Sequence, residues 1–529
     1  MKNLPLSIQT FSKLIAGDYL YIDKTRDIYN LFAQGGQYYF LSRPRRFGKS
    51  LLISTLAEIF SGNKELFKGL WIYDKIEWIK HPVIHMDFSK MDFESPTKLK
   101  ESLKQFLNKT ALSYNVTLDE KKTYKESFAE LIETLSSIGK VVLLVDEYDK
   151  PITEYMEASK LEKAKNIRKV LKNFFGVIKG SDAFLRFVFI TGVSKFSRVS
   201  IFSDLNNLRD ITLSKQFALV LGYTETELMH YFQPYMEQLA NEARMSKIQL
   251  ANDIKYWYNG YSWDGENFVY NPFSILNLFA EKSFENFWFT SGTPTFLIQL
   301  IRQKKSEITE FENLAVGSHT FDSYDIENMD IAALLFQTGY LTIKKITSQG
   351  ITDDKTYHLS YPNKEVRDSF LTYLLGAFSQ KDMSFNSRFL ERINELVKAG
   401  DMDGFIRESK SLFASIPYNI FIKDKEAYYH SIIYLILKLA GADVRCEEPT
   451  NNGRIDAVLE TASKIFIMEF KMGSEHEALD QIREMKYYEK YLAGGKEIVI
   501  MGVGFDVQQR NIGNYLLEAI VFDSDRRPG

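Results

Sequence analysis

The sequence predicts a multidomain α/β protein with three parts: a parallel sheet flanked by helices, a helical middle, and a separate small α/β domain toward the C-terminal end. Three observations carry that expectation. Over residues 1 to about 220, short and nearly continuous apolar stretches alternate with amphipathic ones, as strands buried on both faces and their crossover helices do. Beyond "GYTETELMHYFQPYMEQLANEARM" the text turns helical and aromatic, and from Glu426 it returns to a helix followed by strands. A chain of 529 residues exceeds one core, and at about 150 residues per domain it implies three or four units.

Composition sets outer limits. With 45% apolar and 26% charged residues, the chain is a folding globular sequence, neither disordered nor fibrous. The net charge of -3 supplies no overall positive field, so any nucleic-acid contact must come from local basic patches. One cysteine, Cys446, excludes an intramolecular disulfide and fits a reducing compartment, so a cytoplasmic location is expected. The first residues lack the apolar region of an export signal, and "SIIYLILKLA" falls short of the ~20 residues of a membrane span.

In order, the elements of the first part are the strand "QYYFLS", a helix from Lys49, the strand "HPVIHMDFS", two amphipathic helices, the strand "KVVLLVDEYD", a helix near 160–179, and the strand "RFVFITGVS". This gives an expected first domain of 1–222. Residues 223–365 read as a helical lid in which "MDIAALLFQTGYLTIKKI" and "TYHLSYPNKEVRDSFLTYLL" run helix, strand, strand, helix, compatible with a winged-helix element. Helices over 366–415 form a connector, and 416–529 is the small α/β domain, with a helix expected over about 475–492.

The strand "YYFLS" runs into "RPRRFGKSLL", where Gly48, Lys49 and Ser50 match the end of GxxxxGK[ST] in the context strand, loop, helix. Such a loop binds phosphates through backbone N–H groups and the helix N-terminus, with the lysine on the β and γ phosphates and the hydroxyl on Mg²⁺. Arg43 stands where the first glycine is usual, and Pro44 removes one N–H. "VVLLVDEYD" then ends a buried strand in Asp146 and Glu147, where an aspartate holding Mg²⁺ and a glutamate polarising water belong. In "FITGVSKFSRVS", Ser194 or Lys195 is a candidate sensor of the γ phosphate. Arg43, Arg45 and Arg46 are candidate phosphate contacts, the alternative being a solvated basic loop.

The segment "RIDAVLETASKIFIMEFK" reads as a hairpin. If its turn is centred between Ala462 and Ser463, Asp456 lies opposite Glu469, and like charges at opposed positions, with Cβ atoms about 4.5–5.5 Å apart, repel. Side-chain alternation adds Lys471 to the same face. Two carboxylates and a lysine at one sheet edge make a hard-oxygen site suited to Mg²⁺ or Mn²⁺, and the cation relieves the repulsion. Glu426 and His430, at i and i+4 of the preceding helix, share a face; Glu426 is a candidate ligand, whereas His430 reads better as a solvated histidine. Gln481 and Lys486 on the following helix are candidates to line the same cleft.

These residues resemble a bacterial family with an N-terminal AAA-ATPase-like domain and a C-terminal domain of the PD-(D/E)XK nuclease superfamily. The carriers are "YIDKT", "RPRRFGKSLL", "LLVDEYDKPI", "ITGVSKFS", "FSDLNNLRDITL", "YNPFSILN", "FQTGYLTI", "GRIDAVLE" and "FIMEFK", spread over nearly the whole chain. The resemblance implies a P-loop NTPase sheet, a restriction-endonuclease-like C-terminal fold, and ATP or another NTP together with Mg²⁺ or Mn²⁺. It further implies Asp456 and Glu469 as metal ligands, Lys471 as catalytic lysine, Glu426 as the helix acid and Gln481 as the later glutamine. The proline of the superfamily's name is Ile455 here.

The leading expectation is an NTP-regulated, Mg²⁺-dependent nuclease acting on DNA, with Glu147 serving nucleotide hydrolysis. The rivals are a signalling ATPase whose nuclease-like domain only binds nucleic acid or a partner, and a nucleotide-binding protein without hydrolysis. No arginine finger stands out in the sequence, which leaves a homo-oligomer open.

Overall fold

A computed structural model describes residues 1–520 with the exception of 34, 196–200, 204, 289–296, 299, 302–307, 323–329, 349, 351–353, 417–425 and 441–442. The chain forms two compact units, Met1–Phe296 with Asn313–Val366, and Leu297–Glu312 with Arg367–Gly529. No helix among the described residues is long and apolar enough to cross a membrane.

In the first unit, β1 (Tyr38–Ser42) leads through a loop into α1 (Lys49–Phe60), followed by β2 (Val83–Asp87), β3 (Val141–Asp146), β4 (Leu185–Gly192) and β5 (Arg209–Asp210). The sheet is parallel with order β2-β3-β4-β1-β5, so β4 separates the loop-bearing strand from the acid-bearing one. Every residue of β1 and β3 is buried, which is why both read as unbroken apolar runs. The buried stripe of α1, with Leu52, Ile53, Leu56, Ile59 and Phe60, packs on Tyr39, Leu41, Val142, Leu144, Phe187 and Phe189. On the other face Phe40 meets Tyr148 edge-on.

The middle of this unit has its own core. Helices Glu225–Tyr231, Gln233–Glu242, Lys247–Tyr258 and Pro272–Glu281 gather with Leu20 and Ile22 of the N-terminal segment. Their starts are encoded locally: Thr224 and Glu227 form a reciprocal capping box, and Asn271 caps a helix whose first residue is Pro272. β6 (Leu314–Gly317), α2 (Ile331–Thr338), β7 (Thr342–Thr347) and β8 (Thr356–Ser360) follow, with antiparallel order β6-β8-β7. The expected order helix, strand, strand, helix is present, and β6, which the sequence did not announce, extends the pair.

The second unit holds the connector helices Lys364–Ser379 (from Arg367 onward), Met383–Ala399 and Met402–Ala414. Then come α3 (Glu426–Leu439), β9 (Asp443–Thr450), β10 (Gly453–Glu460), β11 (Lys464–Met472), α4 (Glu475–Glu484), β12 (Glu497–Asp506) and β13 (Asn511–Ala519). The sheet order is β13-β12-β11-β10-β9, with only the β11–β12 pair parallel. The helix expected over 475–492 stops at Glu484: Lys486 adopts a left-handed φ of 51°, and a 3₁₀ segment, Tyr487–Gly494, replaces its second half.

Candidate functional site

Two clusters of the candidate side chains form, one in each unit. In the first, Gly48 takes a φ of 89°, which a side chain would strain, and turns the loop into α1. Lys49 is buried and its Nζ donates to the carbonyls of Arg43 and Pro44, each at 2.9 Å. Burial lowers its pKa, while Asp146, Asp149 and Glu147 pull the other way. Ser50 is hydrogen-bonded to Asp146, a buried carboxyl whose pKa burial raises against that bond and the Lys49 charge. Glu147 is half-buried at a φ of 52°, its carboxylate 3.4 Å from Lys150 Nζ. Arg45, Arg46, Gly48, Lys49, Ser50 and Glu147 line one cavity of about 910 Å³.

The end of β4 differs from expectation in its detail. Ser194 lines the cavity, but its hydroxyl donates to Asp149 at 2.7 Å, and the same carboxylate accepts from the N–H groups of Val193 and Ser194. Asp149, which sequence reasoning passed over, thus anchors the strand end; burial raises its pKa. Its signal was the second aspartate of "DEYD". Gly192 has no room for a side chain, since a Cβ there would lie 2.7 Å from the Tyr148 ring. Lys195 is buried and paired with Asp210 at 2.8 Å, which takes it out of the sensor role.

Arg43 corrects the expectation that it contacts phosphate. It is fully buried, donates to the carbonyls of Ser42 and Thr212 at 2.9 Å, and stacks 3.8 Å above Trp263. Burial lowers its pKa to about 9, opposed by Asp210 and Asp264. The residue in the glycine position is therefore a staple beneath the loop. Arg46 reaches the cavity wall, yet its guanidinium donates to the Phe287 carbonyl at 2.7 Å and stacks on Phe273 at 3.8 Å.

In the second unit the hairpin register is Ala457↔Met468 through Glu460↔Ile465, the register that sets Asp456 opposite Glu469. A turn closes it, with the Thr461 N–H donating to the Lys464 carbonyl. The β10–β11 ladder ends at Ala457, and the carboxylates take over its bonding. Asp456 Oδ2 accepts from the Phe470 N–H at 2.9 Å, and the Asp456 N–H reaches Glu469 Oε2 at 3.5 Å. These bonds hold both carboxylates at one end of the hairpin. Glu469 is 1% exposed, accepts from the Gln481 amide, and lies 3.9 Å from Lys471 Nζ.

His430, read as solvated, instead sits here, its Nε2 3.8 Å from Asp456 Oδ2 and 3.3 Å from the Phe470 carbonyl. Its signal was the i+4 spacing from Glu426. Glu426 opens α3, but its side chain lies outside the described residues. Lys486 pairs with Glu489 at 3.7 Å in an exposed turn rather than joining the cluster. Gly502 and Gly504 face Glu469 and Lys471 across the parallel pair. A Cβ on Gly502 would come within 2.6 Å of the Leu479 N, so these glycines let α4 settle on the sheet and deliver Gln481.

Among the described residues no three His, Cys, Asp or Glu side chains gather as a metal cage. Asp456 and Glu469 present carboxylate oxygens of the kind a Mg²⁺ ion takes, one or two to an ion that keeps several waters.

A family model described as predicted AAA-ATPase matches residues 5–202, and one described as PD-(D/E)XK nuclease superfamily matches residues 424–515. The protein named "uncharacterized protein in vnfD 5′ region" of Azotobacter chroococcum mcd 1 is 38% identical over 532 residues, covering 98% of this chain and 99% of that protein. The chain belongs to this two-domain family. The loop, acid-pair and β4 residues fall in the AAA-ATPase-like domain, and the hairpin cluster falls in the PD-(D/E)XK domain. Together the domains suggest an ATPase joined to a nuclease-like function.

Proposed function

We propose that this protein is an NTP-regulated, Mg²⁺-dependent nuclease that hydrolyses phosphodiester bonds of DNA in the cytoplasm, its AAA-ATPase-like domain restraining the C-terminal site. One observation carries the reading: Asp456, Glu469, Lys471 and Gln481 converge at one end of a hairpin. Asp456 and Glu469 would hold a divalent ion, which would supply a polarised water and charge neutralisation at the cleaved phosphate. Lys471, beside Glu469, would orient an attacking water and stabilise the charge that develops at the cleaved phosphate. Gln481 fixes the Glu469 carboxylate by donating to it, and the Phe470 N–H does the same for Asp456.

In the first domain, Lys49 and the loop N–H groups hold nucleotide phosphates, Ser50 and Asp146 hold its Mg²⁺, and Glu147 positions the attacking water. A DNA-cutting enzyme in a cytoplasm threatens the resident genome, so a nucleotide-dependent restraint suits a role in defence or in mobile-element biology. With Mg²⁺, the purified protein should nick or degrade DNA, and Lys471→Ala should lower the rate by about 10²-fold or more while leaving the circular dichroism unchanged. Equal cleavage by that variant would remove the assignment. Single-stranded DNA, double-stranded DNA and RNA substrates, each with and without ATP, test the substrate and the regulation.

A further inference from the structure

The three arginines between β1 and α1 go three ways. Arg43 is locked below the loop by the carbonyls of Ser42, Thr212 and Phe217 and by Trp263, and Arg46 is clamped by the Phe287 carbonyl and the Phe273 ring. Arg45 lies between these fixed points. It is exposed, lines the cavity beside Lys49, Ser50, Glu147 and Ser194, and among the described residues has no hydrogen bond or ion pair. Its charge is near enough to oppose protonation of both Lys49 and Arg46. Three cations thus crowd one cavity wall, and Arg45 alone of the three arginines is left without protein acceptors.

A group in that place meets the charge that separates a triphosphate from a diphosphate, because the loop lysine next to it is the residue that reaches the β and γ phosphates. We propose that Arg45 is the ligand of the terminal phosphate of a bound nucleoside triphosphate, an arginine finger supplied in cis by the phosphate loop itself. The proposal rests on the nucleotide reading of this cavity. It explains why the neighbouring arginines are immobilised: a guanidinium fork works when its backbone is fixed. It also makes the charge constellation complete in one chain, whereas many nucleotide hydrolases take this arginine from a neighbouring protein.

The test is calorimetric titration of the full chain with ATPγS and with ADP, both with Mg²⁺, for wild type, Arg45→Ala, Arg45→Lys and Lys49→Ala. Wild type should prefer the triphosphate by about tenfold or more. Arg45→Ala should reduce that preference to about twofold while leaving ADP affinity within about twofold, and Arg45→Lys should keep part of it, since a point charge replaces a fork. As an exposed residue, Arg45 can be replaced with little effect on the melting temperature. Nucleotide binding by wild type with an unchanged preference in Arg45→Ala, or with no preference at all, overturns the proposal alone. Absence of binding by wild type, or binding indifferent to Lys49→Ala, overturns the nucleotide reading and the proposal with it.

Discussion

The two clusters differ in how far along the chain their parts lie. At the hairpin, Asp456, Glu469, Lys471 and Gln481 come from two paired strands and the next helix, and their spacing follows from register and alternation. At the phosphate loop the residues from Arg43 to Ser50 are close in sequence, but Asp146, Glu147 and Ser194 come from the ends of later strands, and what each residue does is decided from afar. Arg43 is held by Thr212 and Trp263, Arg46 by Phe273 and Phe287, and Lys195 by Asp210. A site built on strand geometry is legible locally; one built on a basic loop depends on which partners the tertiary fold brings to it.

The sharpest break in the comparison is at the hairpin. Asp456→Asn should abolish calorimetric Mg²⁺ binding at the second domain and slow DNA cleavage by about 10³-fold, roughly 4 kcal/mol of barrier. In chelator its melting temperature should stay level or rise, because opposed like charges destabilise by about 0.2–1 kcal/mol. A clear fall would mean that the pair is structural.

Next comes the loop. Arg43→Gly restores the usual P-loop glycine yet should destabilise the first unit by roughly 3 kcal/mol, since it orphans buried carbonyls, opens a cavity and removes the stacking on Trp263. Calorimetric scans of the full chain would register a fall of several degrees. Tighter nucleotide binding at unchanged melting temperature would return Arg43 to the phosphate.

A third effect concerns Glu365, fully buried where it accepts from the Trp288 N–H and Ser274 and faces Arg46. Burial raises its pKa from 4.5 to about 7, so the folded protein keeps the proton longer than the unfolded chain. The resulting stability is complete below about pH 4.5 and is lost as the pH rises to about 7, a span worth roughly 3 kcal/mol. Subtracting the pH-dependence of melting in Glu365→Gln from that of wild type should isolate this slope, and two parallel profiles would refute it.

The smallest effect is Gly502→Ala, which lifts α4 from β12 and loosens the Gln481–Glu469 bond. It should cost about 1–3 kcal/mol and slow cleavage without changing Mg²⁺ stoichiometry. Normal cleavage would detach the glycine from the site.

Sequence by itself determined the parallel sheet, the strand-to-helix phosphate loop, the acid pair ending β3 and the Asp456–Glu469 register, because buried strands, alternation and hairpin turns write short-range periodic patterns. It missed β5, β6 and β13, and it ran the helix after β11 past Lys486, where a left-handed residue breaks it without a glycine to announce the break. Tertiary structure alone decided that Arg43 is a buried staple, that Ser194 answers to Asp149, and that His430 joins the carboxylates. The reason is physical: a charged or hydroxyl side chain takes whichever partner desolvation leaves it, and those partners come from segments distant in the chain.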